Sequence, residues 1–190
     1  MNSLCVFCGS SIGISQAYAN AASELASLLV ARGIQVVYGG GRTGIMGVVA
    51  EKVIRGGGRV VGVMPRRLVE REIAHEGLTE LYITESMQER KAKMSELSDG
   101  FLCLPGGFGT LEEVTEVLSW AQIGLHAKPC CFLNTDHYFD SLLSFFDEMV
   151  DAGFLAPQSR RLALTATEPA ELLDLVAKAN PTHVDRWSDS

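Results

Sequence analysis

Short apolar runs that recur between longer segments of helical period constrain this chain more than any other feature. The runs occupy residues 4–8, 34–38, 60–64, 81–84, 101–104 and 130–133. Each is too short for a buried helix, so each reads as a strand covered on both faces. Between them, residues 15–31, 44–55, 86–98, 110–123 and 137–151 read as helices. A last short strand over 162–165 and a helix over 168–178 complete the series. Buried strands joined by helical crossovers predict a doubly wound, Rossmann-like α/β fold, a parallel sheet of about seven strands with helices on both faces. Residues 1–179 are expected to form one domain, and 180–190 a polar tail.

Composition narrows the partners. Sixteen Lys and Arg against twenty-three Asp and Glu leave a formal charge of −7, which argues against a nucleic-acid partner. A small anion remains compatible, because a few backbone amides and one or two arginines hold it locally. No basic leader precedes an apolar stretch, and nowhere do eighteen apolar residues run together, so neither export nor a membrane span is expected. The expected location is cytoplasmic. Five cysteines fit that compartment as reduced, buried thiols. Cys5 and Cys8 form a C-x-x-C, but on a strand residues three apart face opposite ways. No second such pair or paired histidines complete a metal site, so no metal is expected.

In doubly wound folds, ligands bind beyond the carboxyl ends of the strands. Three small-residue loops fall there. The first is Gly9-Ser10-Ser11, the second Gly39-Gly40-Gly41-Arg42-Thr43-Gly44, and the third Pro105-Gly106-Gly107-Phe108-Gly109-Thr110. Together they mark a place where backbone comes close to a ligand, with Ser10, Gly40, Gly41 and Gly106 as candidates. Gly39-x-Gly41-x-x-Gly44 matches the dinucleotide fingerprint, yet it follows the second strand rather than the first. The next strand ends in Arg66-Arg67 instead of an acidic residue, which leaves an NADP-type oxidoreductase as one alternative. No Walker loop is present.

The third loop carries more information. A glycine turn leading into a helix start is an anion site, because the first helical turn has free N–H groups and a positive dipole end. Thr110-x-x-Glu113 is also a capping box, in which Glu113 bonds back to the Thr110 N–H and needs no ligand. Glu116 shares the face of Glu113, whereas Glu112 is turned by about 100°. Further upstream, the helix starting near Ser86 has an apolar stripe of Met87, Met94 and Leu97. Arg90 points into that stripe, with Lys91 at its edge. An inward arginine requires an anion or must snorkel to the surface. The anion is a structural carboxylate, Glu113, a bound phosphate, or a combination.

Arg90-Lys91 followed by Pro-Gly-Gly-x-Gly-Thr-x-x-Glu at 105–113 resembles the Lonely Guy (LOG) family. Its members are cytokinin riboside 5′-monophosphate phosphoribohydrolases, also catalogued as lysine decarboxylase-like. The similarity extends from Val6-Phe-Cys-Gly-Ser-Ser through Tyr38-Gly-Gly-Gly-x-x-Gly-Ile-Met-Gly, Glu72-Ile-Ala-His and Met87-x-Glu-Arg-Lys to Trp120-Ala-Gln-Ile-Gly and Lys128-Pro129. The combined pattern is specific where its pieces are not. The resemblance implies cleavage of the N-glycosidic bond of a purine nucleoside 5′-monophosphate, giving base and ribose 5-phosphate. It implies catalytic roles for Arg90 and Glu113. Substrate contacts are implied at Glu72, Met87, Lys91, Gly107, Phe108, Gly109, Thr110, Leu111, Glu112 and Ser119, the last replacing the family's threonine. It further implies a homodimer with the site near the subunit interface, and no metal or organic cofactor.

The residues suit that chemistry. Loss of the base leaves an oxocarbenium-like ribose, which a carboxylate such as Glu113 or Glu116 stabilises. Amides of the glycine loop and the Thr110 hydroxyl hold a phosphate. Arg90 balances the carboxylate, the phosphate or the leaving base. A pyridoxal enzyme needs a Schiff-base lysine, and none of Lys52, Lys91, Lys93, Lys128 and Lys178 has a recognisable setting for one. A non-catalytic nucleotide carrier shares the same loops and is separated from an enzyme only by turnover.

Overall fold

The computed structural model describes residues 1–70 and 74–179. Seven parallel strands form one sheet in the order β4-β3-β2-β1-β5-β6-β7. They are β1 (Ser3–Phe7), β2 (Gln35–Tyr38), β3 (Val60–Pro65), β4 (Glu80–Thr84), β5 (Phe101–Cys103), β6 (Cys130–Leu133) and β7 (Ala163–Ala166). Five of them, β1, β3, β5, β6 and most of β2, are buried along their length, as the unbroken apolar runs require. The helices are α1 (Gln16–Ala31), α2 (Gly44–Arg55), α3 (Arg66–Val69), α4 (Met87–Glu96), α5 (Phe108–Gln122), α6 (Asp140–Asp151), α7 (Pro157–Arg160) and α8 (Pro169–Lys178).

Two apolar layers sandwich the sheet. Leu25, Leu29, Val49, Val53 and Leu172 of α1, α2 and α8 cover one face; Met94, Val114, Val117 and Phe146 of α4, α5 and α6 cover the other. Cys8 sits in the first layer and Cys5 in the second, on opposite faces of the sheet. All five cysteines are free and buried, and burial pushes each thiol well up, so they stay protonated core residues. Among the described residues no helix is long and apolar enough to cross a membrane.

Several boundaries differ from the sequence expectation. The helix expected over 137–151 starts only at Asp140, because a 3-10 turn (Thr135–His137) with left-handed Asp136 precedes it. The last strand is Ala163–Ala166 rather than 162–165, and the helices expected at 86–98 and 110–123 run Met87–Glu96 and Phe108–Gln122. The one-turn helices α3 and α7 carry too little periodicity to be read in advance. Met87, expected on the inward stripe of α4, is 42% exposed; it is the first helical residue, at the end of that stripe.

The reversal of strand order lies between β1 and β5. Their following helices, α1 and α5, run on opposite faces, which opens a crevice at the carboxyl edge. The loops there are stitched together by Gly9 N–H to the Pro105 carbonyl at 3.1 Å and Met46 N–H to the Gly9 carbonyl at 3.3 Å. A side chain at Gly44 would collide with the Ser10 backbone, so this glycine, at φ +63, is required by close approach as well as by conformation.

Candidate active site

Arg90 is the centre of the site. Ser86 caps α4 through its hydroxyl, which accepts the Glu89 N–H at 3.1 Å, and this sets the phase that turns Arg90 inward. Arg90 is 8% exposed, and its guanidinium does not snorkel. Its Nη1 donates to Glu113 Oε1 at 2.6 Å, and its Nε donates to the Val63 carbonyl of β3 at 3.0 Å. A side chain on Gly39 would run into Nη2, so the first glycine of the second loop is the floor beneath the guanidinium.

Glu113 is 9% exposed. Burial pushes its carboxyl above the ordinary glutamate value, and the charge and hydrogen bond of Arg90 offset only part of that. The capping box expected at Thr110 does not form. Helix α5 begins two residues earlier, at Phe108, with Gly107 as its N-cap and no side-chain cap. Thr110 is therefore the third helical residue, buried, with its hydroxyl beneath Gly106, and the Glu113 carboxylate is taken by Arg90. The uncapped start leaves the first N–H groups of α5 without an acidic neighbour in the first turn.

Beside this pair lies a second charged group. Lys91 Nζ donates to Glu116 Oε1 at 2.9 Å and also to Glu112. Its long stem bridges the turn that separates these two carboxylates on the helix. Burial works against the ammonium, but the bonds to Glu112 and Glu116 outweigh it and hold the Lys91 pKa above the usual lysine value. Glu116 Oε2 is buried with no hydrogen-bond partner among the described residues.

The remaining candidates divide. Ser10, Gly107, Phe108 and Gly109 are exposed at the carboxyl edge, and Gly106 is half-buried behind them. Leu111 packs into the core layer under α5. Gly40 and Gly41 hold a neighbouring segment: the Gly40 carbonyl accepts the His75 N–H at 3.1 Å, and Gly41 bridges Ala74. That segment follows Glu72, which lies outside the described residues, as does the expected tail from Asn180 onward. Met87 borders a cavity with Pro65, Leu68 and Ser86. Ser119 is exposed on the far half of α5, rimming an apolar groove with Leu118, Phe146 and Met149, and is not joined to the Arg90–Glu113 pair within one chain. Sequence reasoning passed over Gly39 and Val63 as partners of Arg90. The first glycine of the loop was the only visible signal for either.

A family model described as possible lysine decarboxylase matches residues 46–176. A probable cytokinin riboside 5′-monophosphate phosphoribohydrolase of Oryza sativa subsp. japonica is 48% identical over 180 residues, 95% of this chain and 72% of that relative. A cytokinin riboside 5′-monophosphate phosphoribohydrolase of Arabidopsis thaliana is 46% identical, over 95% of this chain and 84% of its own. The chain belongs to the Lonely Guy (LOG) family. Among solved structures, the molybdenum cofactor binding protein of Rippkaea orientalis superimposes with a TM-score of 0.70 at 22% identity, covering 93% of this chain and 95% of that one. At that identity the likeness speaks for the fold alone. Of the LOG motif residues, Arg90 and Glu113 meet as an ion pair between α4 and α5.

Proposed function

We propose that this LOG-family chain hydrolyses the N-glycosidic bond of purine nucleoside 5′-monophosphates, releasing free base and ribose 5-phosphate. The observation that carries the reading is the buried Arg90–Glu113 ion pair beside the uncapped, glycine-led start of α5. The relatives' names supply the reaction class.

The 5′-phosphate sits against the free N–H groups of Gly107, Phe108 and Gly109, where the helix dipole favours an anion. The C1′–N9 bond then breaks with its electron pair leaving on the base. Glu113 faces the positive charge that grows on the ribose, and Arg90 holds the carboxylate in place through its fixed bonds to Glu113 and Val63. Water attacks C1′, and its proton balances the departing base. Lys91, Glu112 and Glu116 border the same space and bind the substrate rim, with Ser10, Glu72 and Met87. Lys91 is kept protonated, so it is a charge and not an imine-forming amine. The active form is a homodimer, in which Ser119 reaches the site of the other subunit rather than its own. Catalysis draws on no metal or organic cofactor.

The test is product analysis after separate incubation with AMP and isopentenyladenosine 5′-monophosphate. Stoichiometric free base and ribose 5-phosphate support the reading. Bound, unaltered nucleotide identifies a carrier and overturns it.

A further inference from the structure

Tyr138 stands beyond the residues already assigned. Its hydroxyl donates to the Gly106 carbonyl at 2.6 Å, across 32 positions of sequence. That carbonyl precedes α5 and takes no N–H from the helix; the first ladder bond runs from Leu111 to Gly107 at 3.1 Å. The turn that delivers Tyr138 is strained, with Asp136 and His137 in succession at φ 50 and 60. Neither is glycine, and such conformations persist only where the surroundings over-determine them. Here they do. The Ser15 hydroxyl donates to Asp136 Oδ2 at 3.0 Å, Asn134 Oδ1 accepts the Phe139 N–H at 2.7 Å, and the Tyr138 ring meets Tyr18 edge-on at 5.6 Å. Ring burial does not account for this investment, since Tyr138 is 44% exposed.

We infer that Tyr138 is a positioning residue whose hydroxyl latches the Gly106–Gly107 peptide, so that the Gly107 N–H faces the phosphate. A trans peptide points its C=O and N–H in opposite directions, and no cis bond is present among the described residues. Fixing the carbonyl on the Tyr138 side therefore fixes the N–H on the other. The peptide needs such a latch because glycines flank it on both sides, and nothing lies within 4 Å of where a Gly107 side chain would be. Flipped, it would turn a carbonyl toward the phosphate and repel it. The inference rests on the reading of residues 105–110 as the phosphate site.

Tyr138→Phe removes one oxygen and keeps the ring and its neighbours, so the variant folds with an unchanged melting temperature. Calorimetric titration with ribose 5-phosphate and steady-state kinetics with AMP are run on both proteins. The latch predicts that ribose 5-phosphate affinity weakens and KM for AMP rises together, by roughly fivefold or more, the scale of one hydrogen bond, with kcat changed less. Equal KM and equal affinity in the two proteins overturn the latch while leaving the phosphate site intact. A fall in kcat alone also overturns it, because the effect then lies away from the phosphate. Should the unmodified protein itself bind no ribose 5-phosphate, the phosphate reading fails, and the latch with it.

Discussion

Arg90 and Glu113 balance two opposing effects: burial penalises both charges, and their mutual bond at 2.6 Å offsets the penalty. For Glu113 burial wins, so its carboxyl titrates above the ordinary glutamate range. In the proposed reaction the ionised form is the one that stabilises a cationic ribose. Activity is therefore lost as pH falls through this raised value, and the acid limb of kcat/KM lies above that of an unperturbed carboxylate, about 4.3. Glu113→Gln keeps the shape, remains folded, and lowers kcat by roughly a hundredfold or more. Normal turnover by this variant, with loss in Glu116→Gln, would move the catalytic carboxylate one turn along α5. Gly39→Ala makes a sharper prediction about positioning. The added methyl meets Nη2 of Arg90, so the guanidinium must leave its place against Glu113. Single-turnover rates are expected to fall at least tenfold, with far-UV circular dichroism unchanged; a fully active variant contradicts the packing. At this scale the sequence was informative for Arg90, whose inward direction follows from helical phase alone. It was silent on Gly39 as a neighbour of Arg90 and on Tyr138 beside Gly106, because contacts between distant segments leave no local period.

Elements carry the site through their ends. Helix α5 starts at Phe108 although Gly107 and Gly109 are poor helix formers. Local propensity therefore placed the start at Thr110 and suggested a capping box, whereas the approach of Arg90 to Glu113 decided otherwise. The alternation of apolar runs and helical periods located all seven strands, although burial on both faces explains only the central five. β4 and β7, at the two edges of the sheet, are partly exposed, so the run at 81–84 is not the fully covered strand that its apolar residues suggested. The alternation missed α3 and α7, single turns that are set by tertiary bonds such as Arg160 to Asp147 at 2.7 Å. At its other end α5 is tied by His126, whose Nε2 donates to the Val117 carbonyl at 2.9 Å while Nδ1 accepts the Lys128 N–H at 3.1 Å. This arrangement needs the neutral ring. Burial, opposed by the Val117 bond and aided by Lys128, lowers the His126 pKa below the ordinary histidine value of about 6.5. With the folded pKa depressed, the unfolded chain takes up the proton first, so the stability from His126 is complete above about pH 6.5 and is lost as pH falls toward the folded value. Thermal melts between pH 7.5 and about 5 should show this decline, and His126→Gln, an uncharged side chain whose amide can still donate to the Val117 carbonyl, should flatten it. Parallel curves for the two proteins would assign the decline to another group.

At the scale of the whole molecule, the proposed site gathers at one edge of the sheet. The order of strands puts the loops after β1 and β5 side by side where α1 and α5 diverge, and α4 brings Arg90 in from the neighbouring half. Among the described residues no group of three or more His, Cys, Asp or Glu side chains is placed to hold a metal. Activity is therefore expected to survive EDTA; loss that one divalent ion restores would reveal a site the donors here do not foresee. In the proposed reaction a phosphate anchored at α5 holds the ribose against Glu113. The decisive comparison is the rate of adenine release from AMP and from adenosine under identical conditions. AMP is expected to be cleaved, and adenosine, lacking the anchor, at least a hundredfold more slowly in kcat/KM, roughly the worth of one or two charge-assisted bonds. Equal cleavage of the two would contradict this anchoring.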